Sequence, residues 1–378
     1  GTGEIVDMQY PADINFHVNY YPETEDERGR FDGTVMMQSL TSFFREQGET
    51  IEAASAFSYM SIYVDLQADS LTSNSLRPAK ERLDRHLFLF TAADFAAASG
   101  TEPVKVGPGQ VLLCGGERDF GPMFSASEVT FNGPRGSRTL TVTGGVWVNS
   151  LPVSSNTAGD DLAIGMIVAD MDEVVALRQV LFSQDFSSSM IWEGRFDLAC
   201  DAARLEEVES AFWDATENGR FQQEDTGDWR SLSLTLRSDA ELDIYAMSGG
   251  FLFLGILLGL IFLMATVLII YYKQISEGYE DRSRFDIMRK VGLSRKQVRA
   301  SIRSQVLVVF FLPIAVAAVH IAFDFNMVVQ LLGLFNLRDI PLTAVCTLGT
   351  VLVFFLVYGA VYLITARTYY KIVSDGGQ

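Results

Sequence analysis

Cysteine and histidine are scarce: Cys114, Cys200 and Cys346, and His17, His86 and His320, are scattered over 378 residues. So few, so far apart, exclude a zinc-type ligand cluster and a dense disulfide framework. Positive charge is short as well. Lys and Arg number 29 against 47 Asp and Glu, for a formal net charge of -18 and a pI near 4.6. Such a chain has no general affinity for nucleic-acid phosphates. The sequence also lacks a GxxxxGK[ST] phosphate loop, HExxH, GxSxG and CxxC, which removes the commonest signatures of nucleotide, metalloprotease, hydrolase and redox chemistry. In so acidic a chain the adjacent carboxylates Asp160-Asp161 and Glu206-Glu207 read as solvated surface rather than as a general acid and base. The expectation is a protein that is not an enzyme, with no metal and no cofactor of its own.

What it has in abundance is apolar side chains, 48% of all residues at a mean hydropathy of +0.19. Three long apolar runs are free of Asp, Glu, Lys and Arg: 244–272, 304–323 and 340–366. Each reaches the roughly 20 apolar residues a helix needs to cross a hydrocarbon core about 30 Å thick, and a helix satisfies its own backbone groups there. The lipid bilayer is thus the first partner. Between the first two runs, 273–303 holds nine basic residues and four acids, whereas 324–339 has one basic residue and the tail after 366 has two. That imbalance predicts a cytoplasmic 273–303 segment, an extracellular 324–339 loop and a cytoplasmic 367–378 tail. Residues 1–243 then form an extracellular domain with 17 basic and 40 acidic side chains, a net of -23. An exported domain of this size needs a signal peptide or an earlier span. Neither is in the sequence, which starts at Gly1, so the chain is expected to be the C-terminal portion of a longer protein; a processed secreted N-terminus is the alternative.

Residues 1–243 read as α+β. Strand-like patterns occur at 58–66, 110–114, 139–148 and 162–168. Helical periodicity appears at 172–182, where Val174, Leu177 and Leu181 share a face, and at 202–217, where Leu205, Val208, Ala211 and Phe212 do. Gly107-Pro108-Gly109, Gly115-Gly116, Gly133-Pro134 and Gly144-Gly145 mark turns. Cys114 and Cys200 can pair only if their Cα atoms come within about 7 Å; two buried free thiols are the equal alternative.

The 273–303 segment predicts helix, turn, helix. Phe285, Met288 and Val291 form an apolar stripe, Asp286 precedes Lys290 by four residues in the favourable orientation for an ion pair, Gly292 suits a helix C-cap, and Ser294 with Gln297 fits a capping box. Such a segment can lie at the membrane interface against headgroups, or dock into a partner protein and pass its movement into the spans. Within the spans, Gly255 and Gly259 form a GxxxG packing face. Pro313 should kink the second span, as a structural feature or as a hinge. His320 suits an interfacial position better than a proton relay. Tyr271, Tyr272, Tyr369 and Tyr370 suit an interfacial belt.

The run Arg284-Phe-Asp-Ile-Met-Arg-Lys-Val-Gly-Leu-Ser294 resembles the one just inside the membrane in FtsX-like permeases of ABC transporters. Tyr271-Tyr-Lys-Gln-Ile-Ser-Glu-Gly-Tyr-Glu-Asp281, Ser301-Ile-Arg-Ser-Gln305 and Phe310-Phe-Leu-Pro313 look like the bacitracin-export type, the permeases of antimicrobial-peptide detoxification modules. The likeness is close over 271–371. In the acidic domain it rests mainly on position and on Val6-Asp-Met-Gln-Tyr-Pro-Ala-Asp13. Permeases of this type have ten spans with a large extracellular domain between the seventh and eighth, so the resemblance implies the C-terminal portion of such a protein. It further implies that ATP is bound and hydrolysed by a separate ATPase subunit, that Arg284, Phe285, Asp286, Ile287, Met288, Arg289, Lys290 and Gly292 couple to that subunit, and that a sensor histidine kinase associates. The ligand would be an antimicrobial peptide or its lipid complex. Alternatives are a lipoprotein-releasing or macrolide-export FtsX-like permease, a sensor relaying ligand binding to a kinase without energy input, and a membrane-anchored hydrolase.

Overall fold

A computed structural model describes residues 6, 10–20, 31–67, 70–73, 84–115, 126–146, 148, 151–153, 163–182, 190–222, 229–292, 295–333 and 340–374. The chain divides into two compact units, the first containing Gly1–Tyr245 and the second Ala246–Leu332 with Leu337–Gln378.

The first unit begins with β1 (Ile14–Tyr20), α1 (Gly33–Glu46) and β2 (Ile51–Gln67) and ends with β9 (Met190–Leu198), α4 (Ala202–Glu217) and β10 (Trp229–Leu236). These strands lie in the order β10-β1-β9-β2, all neighbours antiparallel. Two βαβ halves interleaved in this way give the ferredoxin-like arrangement. Asp32 caps α1 by accepting from the Thr34 and Val35 amides, and Asp201 caps α4 through the Arg204 amide. Both helices pack on one face of the sheet. Met36, Leu40, Phe43 and Phe44 of α1 and Leu205, Val208 and Phe212 of α4 are buried with Ile14, Phe16, Val18 and Phe196 of the strands. Phe16 meets Phe212 and Phe196 at ring distances of 5.1 and 5.8 Å, within the range of favourable edge contacts.

Between β2 and β9 the chain makes a second sheet system: β3 (Ser70–Ser73), β4 (Asp84–Thr91), α2 (Ala92–Ser99), β5 (Gln110–Cys114), β6 (Glu128–Gly133), β7 (Gly136–Val146), β8 (Ala163–Val168) and α3 (Met171–Leu181). The order β2-β3-β6-β7-β5-β8-β4 closes on itself because β4 also pairs with β2, Tyr59 opposite Phe90 through Asp65 opposite Asp84. β2 is long enough to serve both systems: residues 51–60 pair with β9 and residues 64–67 with β3. Its alternate side chains follow the two-residue strand period. Met60, Ile62, Val64 and Leu66 join the main core, while Phe57 and Tyr59 join a smaller cluster with Phe88, Phe90, Phe95 and Ile167.

The periodic faces assigned to 172–182 and 202–217 are buried, Ala211 only partly. Gly133-Pro134 is the β6–β7 turn. Gly144-Gly145 is not a turn. It lies inside β7 opposite Leu112 and Leu113, where the register shifts and Gly144 takes φ +150; glycine here accommodates a bulge, which local composition does not distinguish from a turn. Gly116 lies outside the described residues. Cys114 and Cys200 are both free thiols, the first buried.

The second unit holds most of α5 (Arg237–Lys290), which begins in the first unit, with α6 (Arg295–Gly333) up to Leu332 and α7 (Ile340–Ser374). Three helical stretches, Arg237–Arg284, Phe311–Leu332 and Ile340–Thr368, are long and apolar enough to cross a membrane, and none buries any residue of its most apolar window. The second helix extends beyond the uncharged run 304–323 at both ends, from Arg295 to Gly333. Between Asp324 and Gly333 there is no Pro, no Gly and no further charge, and one charge does not end a helix.

Candidate functional site

α5 carries the apolar run and the basic run on one continuous helix. Past Tyr271 and Tyr272, whose rings lie 5.8 Å apart, the side chains become polar and pair locally. Lys273 lies 3.9 Å from Glu277, Gln274 donates to Glu277 at 3.1 Å, and Arg284 donates to Asp281 at 3.2 Å. The Ile287 carbonyl accepts the Val291 amide at 3.0 Å, and Gly292 has φ +104. That left-handed glycine fulfils the C-cap role. α6 starts at Arg295, so the helix-turn-helix expected from the sequence is present with its first helix continuous with the span. Arg284, Ile287, Lys290 and Gly292 are exposed, and Val291 is 78% exposed. The side chains of Phe285, Asp286, Met288 and Arg289, and all of Ser294, lie outside the described residues.

The remaining span residues stand as follows. A Cβ on Gly255 or Gly259 would meet nothing within 4 Å, so among the described residues the GxxxG face has no partner in this chain. Pro313 lies inside α6 and, with Ile314, Ala317, Thr350, Phe354 and Tyr358 among others, lines an apolar groove of about 410 Å³ between α6 and α7. His320 is exposed.

These observations place a cationic, solvent-accessible helical elbow at the end of an apolar helix trio. Residues 250–371 match the FtsX-like permease C-terminal family. The match spans all three apolar helices and the elbow, and stops short of the first unit. The chain is also similar to the ABC transporter permease protein YxdM of Bacillus subtilis, at 31% identity over 72 residues. That stretch is 19% of this chain and 12% of the relative, so only a small share of the relative's length is covered.

The first unit holds two polar constellations that sequence reading missed. On the sheet face away from α1 and α4, Glu193 is fully buried, with Arg195 on its carboxylate at 2.7 Å and His17 at 3.7 Å. Arg195 also donates to the Ala98 and Pro152 carbonyls and lies 4.6 Å over the Phe57 ring. Burial, with Glu193 alongside, pushes the Tyr59 phenol well above its ordinary pKa. A buried ion pair with this many hydrogen bonds is a structural anchor. Elsewhere, Ser61 and His86 share a hydrogen bond of 2.7 Å, and burial lowers the His86 pKa from 6.5 to about 4. His86 Nδ1 meets no hydrogen-bonding group among the described residues, so among them the pair has no third, orienting group of the kind a catalytic triad uses. Glu193 and Arg195 are two residues apart on one strand, but His17, Phe57 and the Ala98 and Pro152 carbonyls reach them from elsewhere in the chain, and Ser61 and His86 come from different strands, so no local pattern signals either constellation. Glu206 and Glu207 are exposed, and Asp160 and Asp161 lie outside the described residues. Among the described residues no His, Cys, Asp and Glu cluster is placed to hold a metal.

Proposed function

We propose that the chain is part of the permease subunit of an ABC transporter, in which the elbow around Arg284–Gly292 receives movement from a separate ATP-hydrolysing subunit and α5 passes it along the spans. The observation that carries this reading is the family match over 250–371, which joins the three apolar helices and the cationic elbow in one stretch. A relative named as an ABC transporter permease supports it. ATP belongs to the partner subunit, and the permease itself performs no catalysis. The acidic first unit lies outside the cell and handles a cell-envelope-active antimicrobial peptide or its lipid complex, with a sensor histidine kinase as a further partner. Its net of -23 over residues 1–243 attracts cationic peptides; lipid pyrophosphates would feel the opposite force, so the field favours the peptide as first contact. The test is co-purification. Arg289→Glu with Lys290→Glu is expected to reduce the ATPase recovered with the permease while leaving membrane expression intact, and unchanged recovery would overturn the coupling role.

A further inference from the structure

In the second unit the usual relation between polarity and burial is inverted. Among its described residues the only buried side chains are polar: Gln274 at 1% exposure, Asp281 at 9% and Thr365 at 0%. The large apolar side chains of the same unit stand outward. Hydrocarbon surroundings explain the outward apolar side chains, since an outward leucine costs nothing in lipid. The distribution along the helices is informative. Gln274, Gly278 and Asp281 are all buried and follow the i, i+4, i+7 spacing of one helix face. This buried face lies on the polar extension of α5, between the apolar run and the elbow. Thr365, on α7, completes the buried set. The hydroxyls of Thr266, Thr347, Thr350 and Thr368 close back onto carbonyls of their own helices, but Thr365 Oγ1 has no partner among the described residues.

Asp281 is the end of that face nearest the elbow. Its carboxylate is 12% exposed, whereas its partner Arg284, one turn further along at 3.2 Å, is 76% exposed. An ion pair between two freely moving surface groups would fix nothing. Here one member is held by burial, so the other is tethered at a defined azimuth on the helix. We propose that Asp281 is a positioning residue of the coupling elbow: anchored in the buried polar face of α5, it holds Arg284 in the orientation that meets the ATPase subunit. The inference rests on the coupling role proposed above and names the residue that organises it.

The full-length permease is co-expressed with its cognate ATPase subunit and purified by the permease tag. Asp281→Asn, which removes the charge at constant size, is expected to lower the recovered ATPase about three- to fivefold, and Asp281→Glu to restore most of it. Asp281→Leu, which removes the buried charge at similar size, is expected to fold and to show the same loss, so a defect from misfolding is separated from one of positioning. Arg284→Ala should match Asp281→Asn, and combining the two should add nothing. Were Asp281→Asn to lower recovery equally in the Arg284→Ala background, or Asp281→Leu to leave recovery intact, Asp281 would not act through Arg284. Should Arg284→Ala itself leave recovery unchanged, the coupling role of Arg284 fails, and the positioning role with it.

Discussion

The Cα of Gly133 faces the backbone carbonyl of Val180 so closely that a Cβ on the glycine would overlap it. The β6–β7 hairpin is thereby seated against the C-terminal turn of α3. Neither backbone segment yields easily, so Gly133→Ala is expected to destabilise the protein by about 1–3 kcal/mol. Gly136, in the same turn, has φ +124 and open space around it; Gly136→Ala carries backbone strain alone, about 1 kcal/mol. Thermal unfolding of the two purified variants should rank them in that order, and the reverse ranking would mean that the hairpin does not rest on α3.

The Glu193–Arg195 pair makes a second, opposite-signed forecast. Arg195→Met leaves a fully buried carboxylate without its guanidinium, a loss of about 3–5 kcal/mol. Adding Glu193→Leu removes the stranded charge and is expected to recover much of that stability, so that the double variant melts above the single one. Additive losses in a denaturant titration would show that the two side chains do not form one unit.

His86 sets a pH dependence. Burial lowers its pKa from 6.5 to about 4, so the unfolded chain takes up a proton at a higher pH than the folded chain does. Its contribution to stability is complete above pH 6.5 and drains away as the pH falls toward 4. The size is on the order of 2 kcal/mol, allowing for partial solvent screening. His86→Gln should flatten the melting-temperature profile across that window relative to the unsubstituted protein, and superimposable profiles would place the histidine in water.

The two thiols of the first unit are distinguishable by reactivity. Burial pushes Cys114 up to about 12, and burial with the neighbouring Glu49 raises Cys200 less far. A maleimide at neutral pH should modify Cys200 slowly, faster as the pH rises, and leave Cys114 untouched until the protein is denatured. Mass spectrometry of the labelled, non-reduced protein reads both outcomes, and a mass two protons short without label would reveal a disulfide.

How much of this was legible beforehand depends on how far apart the interacting residues lie. Val174, Leu177 and Leu181, and Leu205, Val208 and Phe212, announce their buried faces because a helix repeats within a few residues. The elbow is legible for the same reason: Gly292 and the charges before it act on their own helix. Gly144-Gly145 misleads because a bulge and a turn draw on the same residue. Asp281 is invisible as an anchor, since nothing in its neighbourhood along the chain says that its face is covered.

The sequence by itself determined the apolar helix trio, the charge imbalance between its loops and the cationic elbow, because lipid selects on length and polarity and both are properties of contiguous residues. Only the tertiary structure decided that β2 belongs to two sheet systems, that β4 closes a seven-stranded ring on it, and that His17 meets Glu193. Those contacts join strands dozens to nearly two hundred residues apart, where pairing is chosen by competition among many strands of similar alternation and leaves no periodic trace in any one of them.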